Sequence, residues 1–140
     1  MEISEINPDG NVYNIKDATA RNTITLIQSQ FGYSTTEKKT NETWIDSKPI
    51  YKKVVNFGTL PNNTTKSVSH GITNYAKMVS IKGIAINQSA GNTIPLPYVV
   101  TNGEICQLYV KNENVIVVSN SNYSEYTQAY VILEYTKTTD

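Results

Sequence analysis

Cysteine and histidine are almost missing from this chain, whose 140 residues hold one of each, Cys106 and His70. One thiol cannot close an intramolecular disulfide, and a structural zinc site needs several thiolate or imidazole ligands together. The fold is therefore expected to stand on packing, with no metal and no cofactor. Charge is scarce as well: 17% of residues are charged, below the ~25% of ordinary globular domains. Twelve Lys plus Arg are balanced by twelve Asp plus Glu. Without a basic run there is no electrostatic footprint for nucleic acid, whose affinity comes largely from neutralised phosphates. No apolar run approaches the ~18 residues of a membrane span, and Met1–Ile6 lacks the positive stretch and apolar run of a secretory signal. A soluble product made in the cytoplasm is the expectation, without a membrane partner. The seven glycines stand apart, and neither a phosphate-cradling loop nor a Gly-x-Ser-x-Gly elbow occurs.

What the chain does have is β-branched and aromatic bulk. Ile and Val number 27 against 11 for Leu and Ala, and ten tyrosines join them. Their stiff or flat side chains pack well on a pleated surface and lose freedom in a helix. Apolar residues make up 39% of the chain, enough to bury a core. Strand-like runs cover Thr43 to Ile45, Ile50 to Phe57, Lys66 to Ser69, Ala76 to Asn87, Pro97 to Val100, Ile105 to Val110, Val115 to Ser119 and Tyr126 to Thr136. About eight strands in a hundred residues predict a mainly β body, an antiparallel β-sandwich or jelly roll. In one run Met78, Ser80, Lys82 and Ile84 should face one side, with Val79, Ile81, Gly83 and Ala85 on the other. The last run is apolar on both faces, as in a central strand or one facing a neighbouring subunit. Asn112-Glu113-Asn114 and Asp46-Ser47-Lys48 are expected to close hairpins.

The first 32 residues read differently. Glu2 to Ile6 and Asn11 to Ile15 flank Asn7-Pro8-Asp9-Gly10, which predicts a small hairpin. Asp17 then offers an N-cap for a helix over Ala18 to Phe31, a stretch without Gly or Pro. Ala20, Ile24, Ile27 and Phe31 recur at spacings of four, three and four, the narrow seam of a coiled coil. A lone helix of about 14 residues is marginal in water, so it must pack on its own sheet or on copies of itself. Polar flanking residues Thr23, Thr25, Gln28 and Ser29 favour copies, that is, a short trimeric stub. The polar stretch Gly32 to Asn41 is expected to be a linker.

Residues able to carry chemistry are few. His70, the only histidine, stands between Ser69 and Gly71, which suits a strand end entering a turn, and Cys106 between Ile105 and Gln107 suits core filling. Eight Glu and four Asp are scattered among turns and hairpin ends, singling out no acid pair for glycoside cleavage. No catalytic residue is expected, and the chain is expected not to be an enzyme. Tyr123, Tyr126 and Tyr130 gather in one segment. Aromatic rings bind sugar faces or fill interfaces, so this trio is the candidate ligand-binding cluster, with core or interface packing as the plainer reading. Trp44 is expected to pack in the hairpin before Pro49.

Two stretches, YNIKDATAR over Tyr13 to Arg21 and YSTTEKKTNETWIDSKPIYKK over Tyr33 to Lys53, resemble a module of bacteriophage fibre and minor structural proteins. Tail-fibre, receptor-binding and head-fibre chains carry a similar YDIKDATAR-like segment, a YSTDE-like start and a TWIDGKPIYRK-like hairpin. FGTLPNNTTKSVSH over Phe57 to His70 and YVILEYTKTTD over Tyr130 to Asp140 are also similar to that module. The chain departs from it at Ser47, where Gly is usual, which puts a tight left-handed turn there in question. The resemblance implies a homotrimeric, mostly β virion appendage. Residues 1–32 would be the attachment module toward other virion proteins, with Ala20, Ile24, Ile27 and Phe31 as trimer interface. Residues 33–140 would be the sandwich body, displayed for host-surface attachment or particle decoration, with host cell-surface glycan as a candidate partner. A stand-alone carbohydrate-binding module and a glycan-cleaving fibre are the alternatives.

Overall fold

The computed structural model describes residues 32–140 and, ahead of them, the strands β1 (Ile3–Ile6) and β2 (Val12–Ile15). The chain divides into two compact units, residues 1–31 and 32–140. In the first unit β1 and β2 pair antiparallel, from Ile3 opposite Ile15 to Ile6 opposite Val12. This is the expected hairpin. The Ala20, Ile24, Ile27, Phe31 stripe and its helix lie outside the described residues.

The second unit is mainly β, and its described residues contain no helix. Its strands are β3 (Lys38–Thr43), β4 (Pro49–Asn56), β5 (Thr65–Ser69), β6 (Tyr75–Asn87), β7 (Asn92–Leu96), β8 (Tyr98–Val99), β9 (Ile105–Lys111), β10 (Asn114–Ser119) and β11 (Gln128–Lys137). They form two antiparallel sheets, one ordered β3-β4-β11-β6-β7 and the other β5-β10-β9-β8. The chain visits both sheets twice and then lays its last strand between β4 and β6.

The two sheets enclose one core. Val55, Ala85, Val131, Leu133 and Tyr135 from the larger sheet meet Cys106, Val115 and Val117 from the smaller, all nearly or fully sealed from solvent. Along β11 the alternation is regular: Ala129, Val131, Leu133 and Tyr135 point in, while Gln128, Tyr130, Ile132 and Glu134 are half-buried outward. Gly83 is crowded by Leu96 of its own sheet and Leu108 of the other. A Cβ there would sit 2.8 Å from Leu96 Cβ and 2.9 Å from Leu108 Cδ2, so only hydrogen fits.

Three expectations are corrected, and one strand is added. In β6 the alternation breaks at a bulge: Ser80 pairs with Glu134 but Met78 pairs with Tyr135, leaving Val79 extra. Met78 therefore turns to the core side with Tyr135 rather than sharing the face of Ser80 and Lys82. The supposed linker Gly32 to Asn41 already contains β3, an edge strand with no apolar residue, which gains hydrogen bonds from β4. Of the expected run Thr43 to Ile45 only Thr43 is strand, as the last residue of β3, because Trp44 opens a turn in which its N–H donates to Lys48 O at 2.9 Å and its carbonyl accepts from Ser47 N–H. β7 is a strand although it contains Pro95. As the other edge of its sheet it can hold a residue with no N–H to donate.

Turn chemistry explains the remaining links. Ser47 adopts a left-handed φ of 67°, so the tight turn forms without glycine, helped by Lys48 N–H donating to Asp46 Oδ1 at 3.1 Å. Asn112, at φ 54°, closes β9 onto β10 with Lys111 opposite Asn114. From β5, Lys66 reaches back to the β4–β5 loop, where its Nζ donates to the carbonyls of Phe57 at 3.0 Å and Thr59 at 2.6 Å. The same ammonium lies over the Phe57 ring. The FGTLPNNTTK stretch is thus a loop clasped by its own lysine.

Candidate functional site

His70 is 1% exposed at the end of β5, and both ring nitrogens are taken by backbone. Ile72 N–H donates to Nδ1 at 3.0 Å, which makes Nδ1 the acceptor, so the proton sits on Nε2 and is donated to Asn112 O at 2.9 Å. The Tyr75 hydroxyl donates to the same carbonyl, and its ring meets the imidazole edge-on at 5.3 Å. With no free nitrogen, this imidazole ties the β5–β6 link to the β9–β10 turn and has no lone pair to offer a substrate.

Cys106 is completely buried at the start of β9, and burial pushes its thiol up to about 11. A nucleophilic cysteine needs the opposite shift and an open face. The described residues contain no group of three or more His, Cys, Asp or Glu placed to hold a metal ion.

The densest polar cluster joins the start of β3 to the chain end. Glu37 is bridged by Lys137 Nζ, 2.7 Å from Oε1 and 2.9 Å from Oε2. The Tyr135 hydroxyl is held up mainly by burial and then by the adjacent Glu37 carboxylate. The Asp140 carboxylate, with burial, pushes the Tyr51 hydroxyl up to about 12. Lys137 also lies over the Tyr51 ring, which stacks on Tyr135 at 6.1 Å. Each charged group here faces a partner of the same chain, so the cluster fastens the edge strand to the centre.

The structure separates the three candidate tyrosines. Tyr123 is 6% exposed, its ring set edge-on to Tyr98 and tilted against Tyr126, and burial raises its hydroxyl above the ordinary value. Tyr126 is half-buried against the core. A joint sugar-stacking surface of Tyr123, Tyr126 and Tyr130 is therefore not formed, because the first two rings fill the gap where the loop after β10 closes the sandwich. Tyr130 points the other way, onto the outer face of the larger sheet. There it lines an open hollow of about 140 Å³ with Tyr33, Ser34, Thr35 and Val54. Tyr33 is 72% exposed and carries the Lys52 ammonium over its ring at 4.6 Å. Tyr33 was not singled out from the sequence, although it stands first in the motif YSTTEKK.

A second, polar hollow of about 480 Å³ lies beside the β6–β7 turn, lined by Asn87, Ser89, Ala90, Glu125 and Thr127. Asn87 is buried and already engaged: its Nδ2 donates to Glu125 Oε2 at 3.3 Å and its Oδ1 accepts from Ala90 N–H. Set against known proteins, the chain matches no family model, no curated protein and no solved structure. Exposed apolar side chains are spread over the body, with Ile45, Val99 and Tyr109 exposed as well as Tyr33 and Ile84 near Tyr130.

Proposed function

We propose that this chain is a bacteriophage virion structural protein, a homotrimeric tail or head fibre. Its β body serves host-surface attachment or particle decoration, and it acts as no enzyme. The observation that carries the reading is the similarity of four stretches, from Tyr13 to Asp140, to the fibre module. Two structural facts support it. The body's reactive side chains, His70 and Cys106, are engaged or sealed within the fold. The exposed surface instead offers aromatic and β-branched side chains, which suit adhesion. Three copies on one stalk multiply weak contacts into useful avidity.

Sedimentation of the full chain at micromolar concentration tests the assembly, with a mass three times that of one chain expected. Gold-labelled antibody against the chain should decorate particle heads or tails in electron micrographs. A solitary chain, or undecorated particles, would remove the mechanism. A second reading, the stand-alone carbohydrate-binding module, draws on the ring faces of Tyr33 and Tyr130 beside their hollow. Glycan-array signal from a monomer, lost in Tyr130→Ala, would favour it over the fibre.

A further inference from the structure

The two sheets of the body end in four edge strands, and three of these are closed to further pairing by their own residues. β3 carries Lys38 and Lys39 and slips register against β4. β7 carries Pro95, and β8 is two residues long. Such features guard exposed edges against added strands. β5, the remaining edge, turns no guard outward. His70 N–H donates to Glu113 O and Ser119 N–H to Thr64 O, so the register commits the backbone of residues 64, 66, 68 and 70 to β10. By alternation Thr65, Ser67 and Ser69 turn their N–H and C=O groups the other way, and all three residues are exposed. Among the described residues no strand takes these groups up. Lys66, the one lysine of β5, is folded back onto the Phe57 and Thr59 carbonyls and leaves the edge clear.

Beside this edge lies an open hollow of about 230 Å³, reaching from β5 to β4 and lined by Lys53, Asn56, Val68 and Gly71 among others. Lys53 is half-buried and shares the inward-facing row of Tyr51 and Val55. Its Nζ stands 3.1 Å from the place a Cβ on Gly71 would take. No carboxylate lines the hollow, and among the described residues none bridges Lys53. We propose that β5 accepts an extended, acidic peptide segment of a partner protein as an added strand, with a carboxylate of that segment reaching Lys53. Three donors and three acceptors at two-residue spacing are matched by the backbone of another strand, which selects an extended peptide over a helix or a sugar. The uncompensated ammonium selects its charge. This binding needs no trimer and stands apart from the fibre reading.

The probe is the fluorescently labelled, end-blocked peptide Thr-Val-Thr-Asp-Thr-Val-Thr, added to the full chain and followed by anisotropy, with exchange of the β5 amides read by NMR. Saturable binding is expected, with exchange at Ser67 and Ser69 slowed at least about tenfold in the complex. Lys53→Gln should weaken binding about tenfold, the scale of one charge-assisted hydrogen bond, and should leave a peptide with asparagine in place of its aspartate unaffected. Ser67→Pro removes one outward donor while keeping the bonds to β10, as an edge strand tolerates, and should weaken binding at least about tenfold. Lys39→Gln, on the guarded rim, should change nothing. Circular dichroism checks that each variant is folded. Absence of saturable binding, or binding that survives N-methylation of alternate peptide amides in both registers, overturns the proposal. So does slow exchange at Ser67 and Ser69 without peptide: if independent of chain concentration it assigns the edge to the chain's own cover, and if it grows with concentration, to a second copy. Should Ser67→Pro not fold, the N-methylated peptides test the same bonds from the other side.

Discussion

The centre of the larger sheet and its β3 rim are built from different residues and held by different forces. β11, flanked by β4 and β6, is sealed on its inner face by Val131 and Leu133, both wholly buried, so its place follows from water being excluded from hydrocarbon. The β3 rim, Lys-Lys-Thr-Asn-Glu-Thr, buries no residue fully and persists because β4 supplies hydrogen bonds, whereas the other rim, β7, carries Pro95 yet lends Ile94 and Leu96 to the core. Lysine and proline also keep an open edge from pairing with another chain. The centre thus supplies stability, and β3 supplies a limit.

Substitutions should divide along the same line. Leu133→Ala, in the fully buried row of β11, is expected to cost about 2–5 kcal/mol in urea unfolding, the range for a core leucine whose cavity cannot collapse. A loss as small as a rim substitution gives would break the contrast. Gly83→Ala drives a methyl into Leu96 and Leu108 and should cost about 1–3 kcal/mol by overpacking, read from the same curves.

Alkali probes centre and rim together. A thiol or phenol whose folded pKa is raised binds its proton more tightly in the native state. Its contribution is therefore complete below the unfolded value and disappears as pH rises through the folded one. For Cys106 that window runs from 9.0 to about 11, and for Tyr51 from 10.0 to about 12. Stability should hold level to about pH 9 and then fall, and Cys106→Ala should remove the earlier part of the decline in pH-dependent melting.

Rim changes should be smaller. Ser47→Gly relieves a left-handed residue in the β3–β4 turn, and after glycine's own entropic cost it should raise stability by about 0.5–1 kcal/mol. Lys39→Thr, exposed on β3, should stay within about 0.5 kcal/mol of the parent.

Hydrophobic periodicity made the inner strands legible. β4, β5, β6, β9, β10 and β11 lie within two residues of the runs read from Ile, Val and Tyr spacing, because strands that bury a face must carry alternating apolar residues. Where a strand buries no residue fully, that signal vanishes: polar β3 reads as a linker and is an edge. β7 falls outside the runs although it buries Ile94 and Leu96, because Pro95 stands between them. The bulge at Val79 left no mark in composition either, yet it moved Met78 to the core side. The tyrosines teach the same about the candidate site. Sequence placed Tyr123, Tyr126 and Tyr130 together, but alternation along β11 and closure of the preceding loop sent them in opposite directions. Tyr33, which stands about a hundred residues from Tyr130 in the chain, came beside it only through the antiparallel pairing around β4.

Composition and spacing were sufficient to specify an all-β body, its innermost strands, its hairpin turns and the structural character of Cys106 and His70. These are local properties: a residue's preference for pleated backbone, and its period of burial, travel with the residue. Folding alone settled which strands became edges, which ring faced outward and that the last strand lies in the middle of its sheet. Those outcomes depend on contacts between segments far apart in the chain, and no local pattern encodes the partner that a strand will meet.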